Sequence, residues 1–448
     1  MQTITRIAAR SAAALASLGL VAGAGLASPW AAPAPGATWL NGDQTPLASI
    51  QVTGAVPVGV AFDSAGRMYV SGYTPGNQSG RNVISVYPAS WTTSTEPIKV
   101  LEGDLTRLSR PASIAFDSVG RMYVTNVGLP GVPGSASVTV YNARWTSGNT
   151  APIKVLQGDA TGLMQPFDIA FDSSDRMYVA DLGTPEANVG RVMAYAANWA
   201  SGDTAPTKTL EGKKSKLNYP SGIAFDGAGA MYVVNSGLNG GAQSVAQFRA
   251  NWSASDAPSR VLAGASTGLN FPIDIAFDTA GRMYITNGYA SGTSSSITGY
   301  ASTWKTGNTK PISTLAGPKS LLTGPFDLAF DRAGRLAVTN PEFGPAGLAV
   351  LLYSPPVTVK ITGKRTSPTL MTLNGQTTGI AKGTSVVAYI RPIGGTEAFQ
   401  AQKPVKITRG DLTAGTFTYR ITGLQARVAY QVYVVADGKQ STTITIRG

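Results

Sequence analysis

The sequence predicts an all-β protein: a six-bladed β-propeller with N-terminal strand closure, followed by a small β-sandwich domain. Three observations predict it. A phrase close to P-x-x-I-A-F-D-x-x-G-R-M-Y-V-x-N recurs with aspartates at Asp63, Asp117, Asp172, Asp226, Asp278 and Asp331, at steps of 54, 55, 54, 52 and 53 residues. The chain holds 52 Gly and 28 Pro and lacks the 3.6-residue apolar period of a helical solenoid. After Tyr353 the repeat stops, and the remaining residues are rich in Thr, Val and Tyr.

In chain order, residues 1–35 are expected to be a signal peptide and short mature leader. Arg6 and Arg10 precede an apolar stretch from Ser11 to Ala27, and small residues at 27–34 offer cleavage points. Cleavage and a secreted or envelope-associated protein are expected, with an uncleaved anchor as the alternative. The chain has no Cys, so neither a disulfide nor a lipid-modified cysteine is available.

Residues 36–354 are assigned to the propeller. In the third copy, Ile169-Ala170-Phe171, Met177-Tyr178-Val179, Val192-Met193-Ala194-Tyr195 and Pro206-Thr207-Lys208-Thr209-Leu210 read as four short strands joined by turns. Four strands per repeat suit a blade whose faces are buried only by its neighbours. Trp39 and Pro46 have the spacing of the later Trp-to-Pro segments, whereas the last copy stops after its third strand. Residues 46–52 are therefore expected to supply the missing outer strand and close the ring. Residues 355–448 are assigned to the sandwich, with strands at Val357–Ile361, Ser385–Ile390, Thr416–Ile421, Tyr430–Ala436 and Thr442–Ile446.

The regular residues read as structure. The repeated aspartates suit turn caps, and Gly66, Gly120, Gly229, Gly281 and Gly334 suit positive φ, with Asp175 in that place in the third copy. Met-Tyr pairs read as blade packing; Leu336-Ala337 replaces the pair in the sixth copy and is expected to reshape packing beside the closure.

The irregular residues carry the functional expectation. Asp168, Asp274 and Asp327 enter innermost strands, while Asn126, Asp181, Asn235, Asn287 and Asn340 end second strands at the same end of the ring. With Tyr73, Phe167, Tyr289, Phe326 and Phe343 they would form a binding rim for a glycan, peptide or small polar ligand. No histidine exists, which removes His-dependent triads and ordinary His-containing zinc sites. No short arrangement identifies a nucleophile with its base, so a non-catalytic role without cofactor is expected.

Charge is uneven. Residues 355–448 contain 12 Lys/Arg and 3 Asp/Glu, against 22 and 21 in residues 37–354. Lys360, Lys364, Arg365, Lys403, Lys406 and Arg409 are candidates for a basic face toward an anionic cell-wall polymer. An extracellular glycan, peptide or protein is the expected partner of the rim. Nucleic acid is not expected, and the protein is expected to be monomeric.

The blade phrase, as in Phe171-Asp172 through Met177-Tyr178-Val179-Ala180-Asp181 and Val192-Met193-Ala194-Tyr195, resembles the NHL repeat family. More broadly, it resembles the six-bladed gluconolactonase/regucalcin-like propellers and exported actinobacterial propellers. The tail resembles fibronectin type III and immunoglobulin-like accessory domains over Phe417-Thr418-Tyr419 through Thr443-Ile444-Thr445. The resemblance implies a ligand- or protein-binding scaffold. It also implies one alternative, a lactone hydrolase holding Ca²⁺ or another divalent ion through Asp168, Asp181, Asn235, Asp274 and Asp327. A second alternative is a virginiamycin B lyase-like enzyme, which the lack of His disfavours.

Overall fold

A computed structural model describes residues 22–23 and 40–447, apart from 53, 76–79, 91, 130–131, 133, 184–189, 289–294, 342–347, 356–357, 379–382, 394–397, 408–414, 437–438 and 442. No α-helix occurs among these residues, and strands carry nearly all the regular structure. The chain divides into two compact units, the first ending at Tyr353 and the second holding Ser354 onward together with Arg332–Arg335.

The first unit repeats one propeller-like module, a four-stranded antiparallel sheet. The first sheet runs Val56–Phe62, Met68–Tyr73, Asn82–Tyr87 and Lys99–Glu102, and four more such runs follow in sequence. The sixth sheet takes Leu328–Phe330, Leu336–Asn340 and Ala349–Tyr353 from the end of the unit and Ala48–Gln51 from its beginning. Ala48 lies opposite Leu352, and Gln51 opposite Ala349, in antiparallel register. The strand at 48–51 thus fills the outer place that the last repeat leaves empty. Ala22–Gly23 run parallel to Pro166–Phe171, with Ala22 opposite Asp168.

Strand composition explains the packing. Each sheet lies between two others, so its central strands are buried on both faces and lose the alternation of a half-exposed sheet. Met122–Asn126 and Met177–Asp181 are buried at every position. The tyrosine of each Met-Tyr pair reaches across a seam. Tyr69, Tyr123, Tyr178, Tyr232 and Tyr284 meet Phe116, Phe171, Phe225, Phe277 and Phe330 of the next sheet at 4.7–5.1 Å between centroids. Offset or edge-on rings of this kind add about 0.5–1.5 kcal/mol each beyond the area they bury. In the sixth sheet Ala337 takes the tyrosine's place, and the seam with the first sheet is filled instead by Ile50, Val60, Val70 and Leu352.

The repeated aspartate caps its turn. Asp63 Oδ1 accepts the amides of Ala65 and Arg67, while Oδ2 accepts Arg67 Nε at 2.6 Å and the Tyr69 hydroxyl at 3.2 Å. Asp117, Asp172 and Asp278 repeat this set, so the arginine of G-R-M-Y belongs to the cap as well.

Outer edges are latched between neighbours. Lys99 Nζ donates to the Trp145 carbonyl and sits 5.0 Å above its ring, and Lys154 does the same at Trp199. At four of the six Trp segments a glycine with positive φ pairs with the preceding sheet: Gly148 with Leu101, Gly202 with Leu156, Gly307 with Leu262, and Gly42 with Leu315. Gly42 comes from the N-terminal segment, which therefore latches as well as closes. Ser94 and Ser255 stand where the other segments carry this glycine. Their loops close on themselves, Thr92 N donating to Thr95 Oγ1 and Ser253 N to Asp256 Oδ2. The two self-closed loops fall three sheets apart, in the first and fourth sheets.

In the second unit, Thr358–Ser367, Leu370–Thr378 and Gly415–Thr422 form a three-stranded antiparallel sheet. Ser385–Pro392 and Tyr430–Ala436 centre a second sheet with four shorter strands. One core that includes Val359, Met371, Leu373, Val386, Phe417, Tyr419, Val432 and Val434 is shared by both.

Candidate functional site

The six innermost strands place one residue each at an equivalent inner position: Gly59, Ser113, Asp168, Gly222, Asp274 and Asp327. The sequence suggests an accessible rim for the three aspartates. In the structure each is fully buried. Asp168 Oδ1 accepts the Ser113 hydroxyl at 2.8 Å and the Ile169 amide at 2.6 Å, and its Oδ2 accepts the Ile223 amide of the fourth sheet at 2.6 Å. Asp274 Oδ2 accepts the Leu328 amide of the sixth sheet, and Asp327 Oδ2 the Val60 amide of the first. These carboxylates join one sheet to the next. Glycine at the inner position allows the close approach of the following sheet: a Cβ on Gly222 would lie 2.8 Å from the Ile273 carbonyl oxygen, and one on Gly59 would collide with that of Ala112 and lie 3.3 Å from Asp327 Oδ2.

Second-strand hydroxyls complete the inner seams. Thr286 Oγ1 accepts the Asp274 amide and donates to the Phe326 carbonyl, and Thr339 Oγ1 accepts the Asp327 amide and donates to the Val58 carbonyl. Ser71 and Thr125 play the same part toward Ala112 and Phe167. These hydroxyls were missed by sequence reasoning, although a small polar residue stands three places after Met68, Met122, Met283 and Leu336.

The residues ending the second strands are fully buried too. Asn126, Asn235 and Asn287 accept the Ser109, Asn218 and Asn270 amides, each 17 residues back in the chain. Asn340 Oδ1 accepts the Thr323 and Gly324 amides, and Asp181 accepts those of Met164, Gln165 and Gly183. Each side chain thus pins the loop that enters its own inner strand. Among the aromatic candidates, Tyr73, Phe167 and Phe326 are buried together with Val58, Ala112 and Ile273 in one apolar cluster drawn from several sheets. Burial pushes the Tyr73 hydroxyl up to about 12, Arg110 opposing. Tyr289 and Phe343 lie outside the described residues.

The carboxyl electrostatics follow from burial. Asp168 is held well above the ordinary carboxylate range, first by desolvation and then by the charge of Asp327, with its three donors opposing. Asp274 is raised by desolvation, by the charges of Asp327 and Asp168, and by a hydrogen bond with Asp327 that requires a proton. Desolvation raises Asp181, opposed by the amides it accepts. Among the described residues, no group of three His, Cys, Asp or Glu side chains is placed to hold a metal ion together. Asp168, Asp181, Asn235, Asp274 and Asp327 each accept at least one main-chain amide.

The basic candidates separate. Lys360 and Lys364 are exposed on the outer face of the three-stranded sheet, and the register brings Arg420, absent from the sequence-based set, opposite Thr372 beside Lys364. Arg365 turns away, donating to the Pro368 and Val428 carbonyls with its guanidinium 5.7 Å from the Tyr430 ring centre. Lys406 belongs to the other sheet, paired with Ser385, and Lys403 precedes it. Arg409 lies outside the described residues.

No protein-family model matches the chain, and no curated protein matches it. Among solved structures, it is similar to a protein from Lactobacillus plantarum at 13% identity and a TM-score of 0.41, over 81% of this chain and 88% of that one. It is similar to the sensor domain of the anti-sigma factor RsgI4 in Pseudobacteroides cellulosolvens at 17% identity and a TM-score of 0.18, over 20% of this chain and 93% of that one. Chicken CNTN1 FN1–FN3 domains align at 11% identity and a TM-score of 0.17, over 75% of this chain and 98% of that one.

Proposed function

We propose that this chain is an exported, non-catalytic binding scaffold of the cell envelope, built as a six-bladed NHL-type propeller followed by a fibronectin- or immunoglobulin-like sandwich. One observation carries the reading. The polar side chains that would otherwise do chemistry on the ring, Asp168, Asp181, Asn235, Asp274, Asn287, Asp327 and Asn340, are buried and engaged with main-chain groups. They build a stiff frame. Recognition of a glycan, peptide or protein then falls to the irregular connections that follow the second strands. Residues 1–35 direct export, and the mature protein acts as a monomer.

The test uses the purified mature chain with isolated Gram-positive cell walls and, separately, with a panel of lactones with and without divalent ions. Salt-sensitive retention on the walls and no metal-dependent turnover are expected. Metal-dependent lactone hydrolysis, or a protein that stays wholly unbound, would overturn the proposal.

A further inference from the structure

Antiparallel pairing aligns the outward residues of the three-stranded sheet into rows. Lys360 is opposite Gln376, which is opposite Thr416; Thr362, Asn374 and Thr418 form the next row; Lys364, Thr372 and Arg420 form the third. All but Thr372 are exposed, and Thr372 is half-buried. The alternating residues Val359, Ile361, Met371, Leu373, Phe417, Tyr419 and Ile421 point into the core, which fixes the polar set on the outside. The face therefore carries cations in its first and third rows and hydroxyls and an amide between them.

Among the described residues nothing on this face neutralises the cations. The sequence from 355 onward contains only Glu397, Asp411 and Asp437 as acids, and none lies in these three strands. Among the described residues no ion pair involves Lys360, Lys364 or Arg420. Meanwhile Thr418 Oγ1 meets Asn374 Oδ1 at 3.2 Å, and Thr362 Oγ1 donates to the Asn374 carbonyl, so the middle row is tied together. The remaining hydrogen-bonding capacity of its groups faces outward.

Strand geometry sets the scale. Lys360 and Lys364 are four residues apart on one strand, about 13 Å, and Lys364 and Arg420 are two strands apart, about 10 Å. One small anion cannot satisfy three charges so placed, whereas a chain bearing anions at intervals can. No aromatic or aliphatic side chain is exposed within these rows to enter a lipid interface or stack on a base. Hydroxyls and amides between the cations instead match the hydroxyl groups of a sugar polymer.

We infer that the outer face of this sheet, centred on Lys360, Lys364, Arg420 and the Thr362–Asn374–Thr418 row, binds a linear anionic polysaccharide. The inference rests on the envelope-binding reading and assigns one partner class to one face. The test measures binding of soluble polygalacturonate to the full mature chain at low salt, with dextran, anionic phosphatidylglycerol vesicles and duplex DNA as comparators. The variant K360E/K364E/R420E is expected to bind polygalacturonate at least about tenfold more weakly, a loss of about 1.4 kcal/mol. The control K403E/K406E/R447E makes the same charge change elsewhere and is expected to stay within about twofold of the parent, a difference well under 1 kcal/mol. T362A/T418A, which keeps every charge, should lose binding by a smaller factor. Matching thermal melts establish that the variants fold. Equal losses in the two charge-reversal variants would overturn the inference, as would binding to vesicles or DNA without binding to polygalacturonate. A parent that is retained on cell walls yet ignores polygalacturonate would overturn this inference and leave the proposed function standing.

Discussion

Ile50→Asp is expected to destabilise the first unit by about 4 kcal/mol or more, because it buries an unpaired carboxylate at the seam where the chain closes on itself. Ile50 is 1% exposed and packs with Val60, Val70, Val350 and Leu352 from the two sheets it joins. Gln51, one residue on, is exposed and supplies the control: Gln51→Asp should change stability by no more than about 0.5 kcal/mol. Urea denaturation followed by tryptophan fluorescence measures both. Comparable small effects would mean that 48–51 is an appended strand whose loss the ring tolerates.

Asp274→Asn is expected to stabilise the protein at neutral pH by roughly 1–3 kcal/mol, a gain that disappears in acid. In the folded state Asp274 is raised, first by burial and then by the charges of Asp327 and Asp168, so the fold favours its protonated form. The unfolded chain releases that proton at the ordinary carboxylate value. Stability from this group is therefore present below the unfolded pKa and is lost as pH rises toward the raised folded value. Asparagine keeps an oxygen for the Leu328 amide and offers Asp327 a permanent donor, without a charge to bury. Denaturation at pH 4 and pH 7.5 decides the matter. A variant destabilised equally at both would show that the carboxyl group acts only through its shape and its amide contact.

The ring was legible in the sequence because its signals are periodic and local. A-F-D marks the turn in all six copies, G-R-M-Y or a close variant follows it, and the Trp39-to-Pro46 spacing marks a segment that belongs with the last sheet. The pairing of Ala48–Gln51 with Ala349–Tyr353 follows from that spacing. The Lys–Trp latch was also written there, as a Lys or Arg two residues after Pro97, Pro152, Pro206 and Pro258. Its meaning depends on a contact about 45 residues away, which spacing alone does not disclose.

The candidate site was harder to read, for a physical reason. An aspartate at a strand entrance looks the same in sequence whether its lone pairs face solvent or the amide of a neighbouring sheet. What separates the cases is the adjoining residue in space. Gly59 beside Asp327 makes room for the carboxylate, a Cβ there lying 3.3 Å from its Oδ2, and this glycine stands 268 residues before Asp327. On the second unit, alternation predicted strands, but only the register set Arg420 beside Lys364 and turned Arg365 back onto Tyr430.

The two ends of the first unit form one sheet, and a cross-link between them tests that pairing directly. Because the chain has no Cys, the double variant Q51C/A349C carries only the two thiols introduced. Gln51 and Ala349 are directly opposite in the antiparallel register, within the separation a disulfide accepts. Mild oxidation of the folded protein should give near-complete intramolecular cross-linking, seen as a mobility shift on a non-reducing denaturing gel and reversed by reductant. Free thiols persisting after oxidation of the folded variant, or cross-linking only between molecules, would contradict the closure.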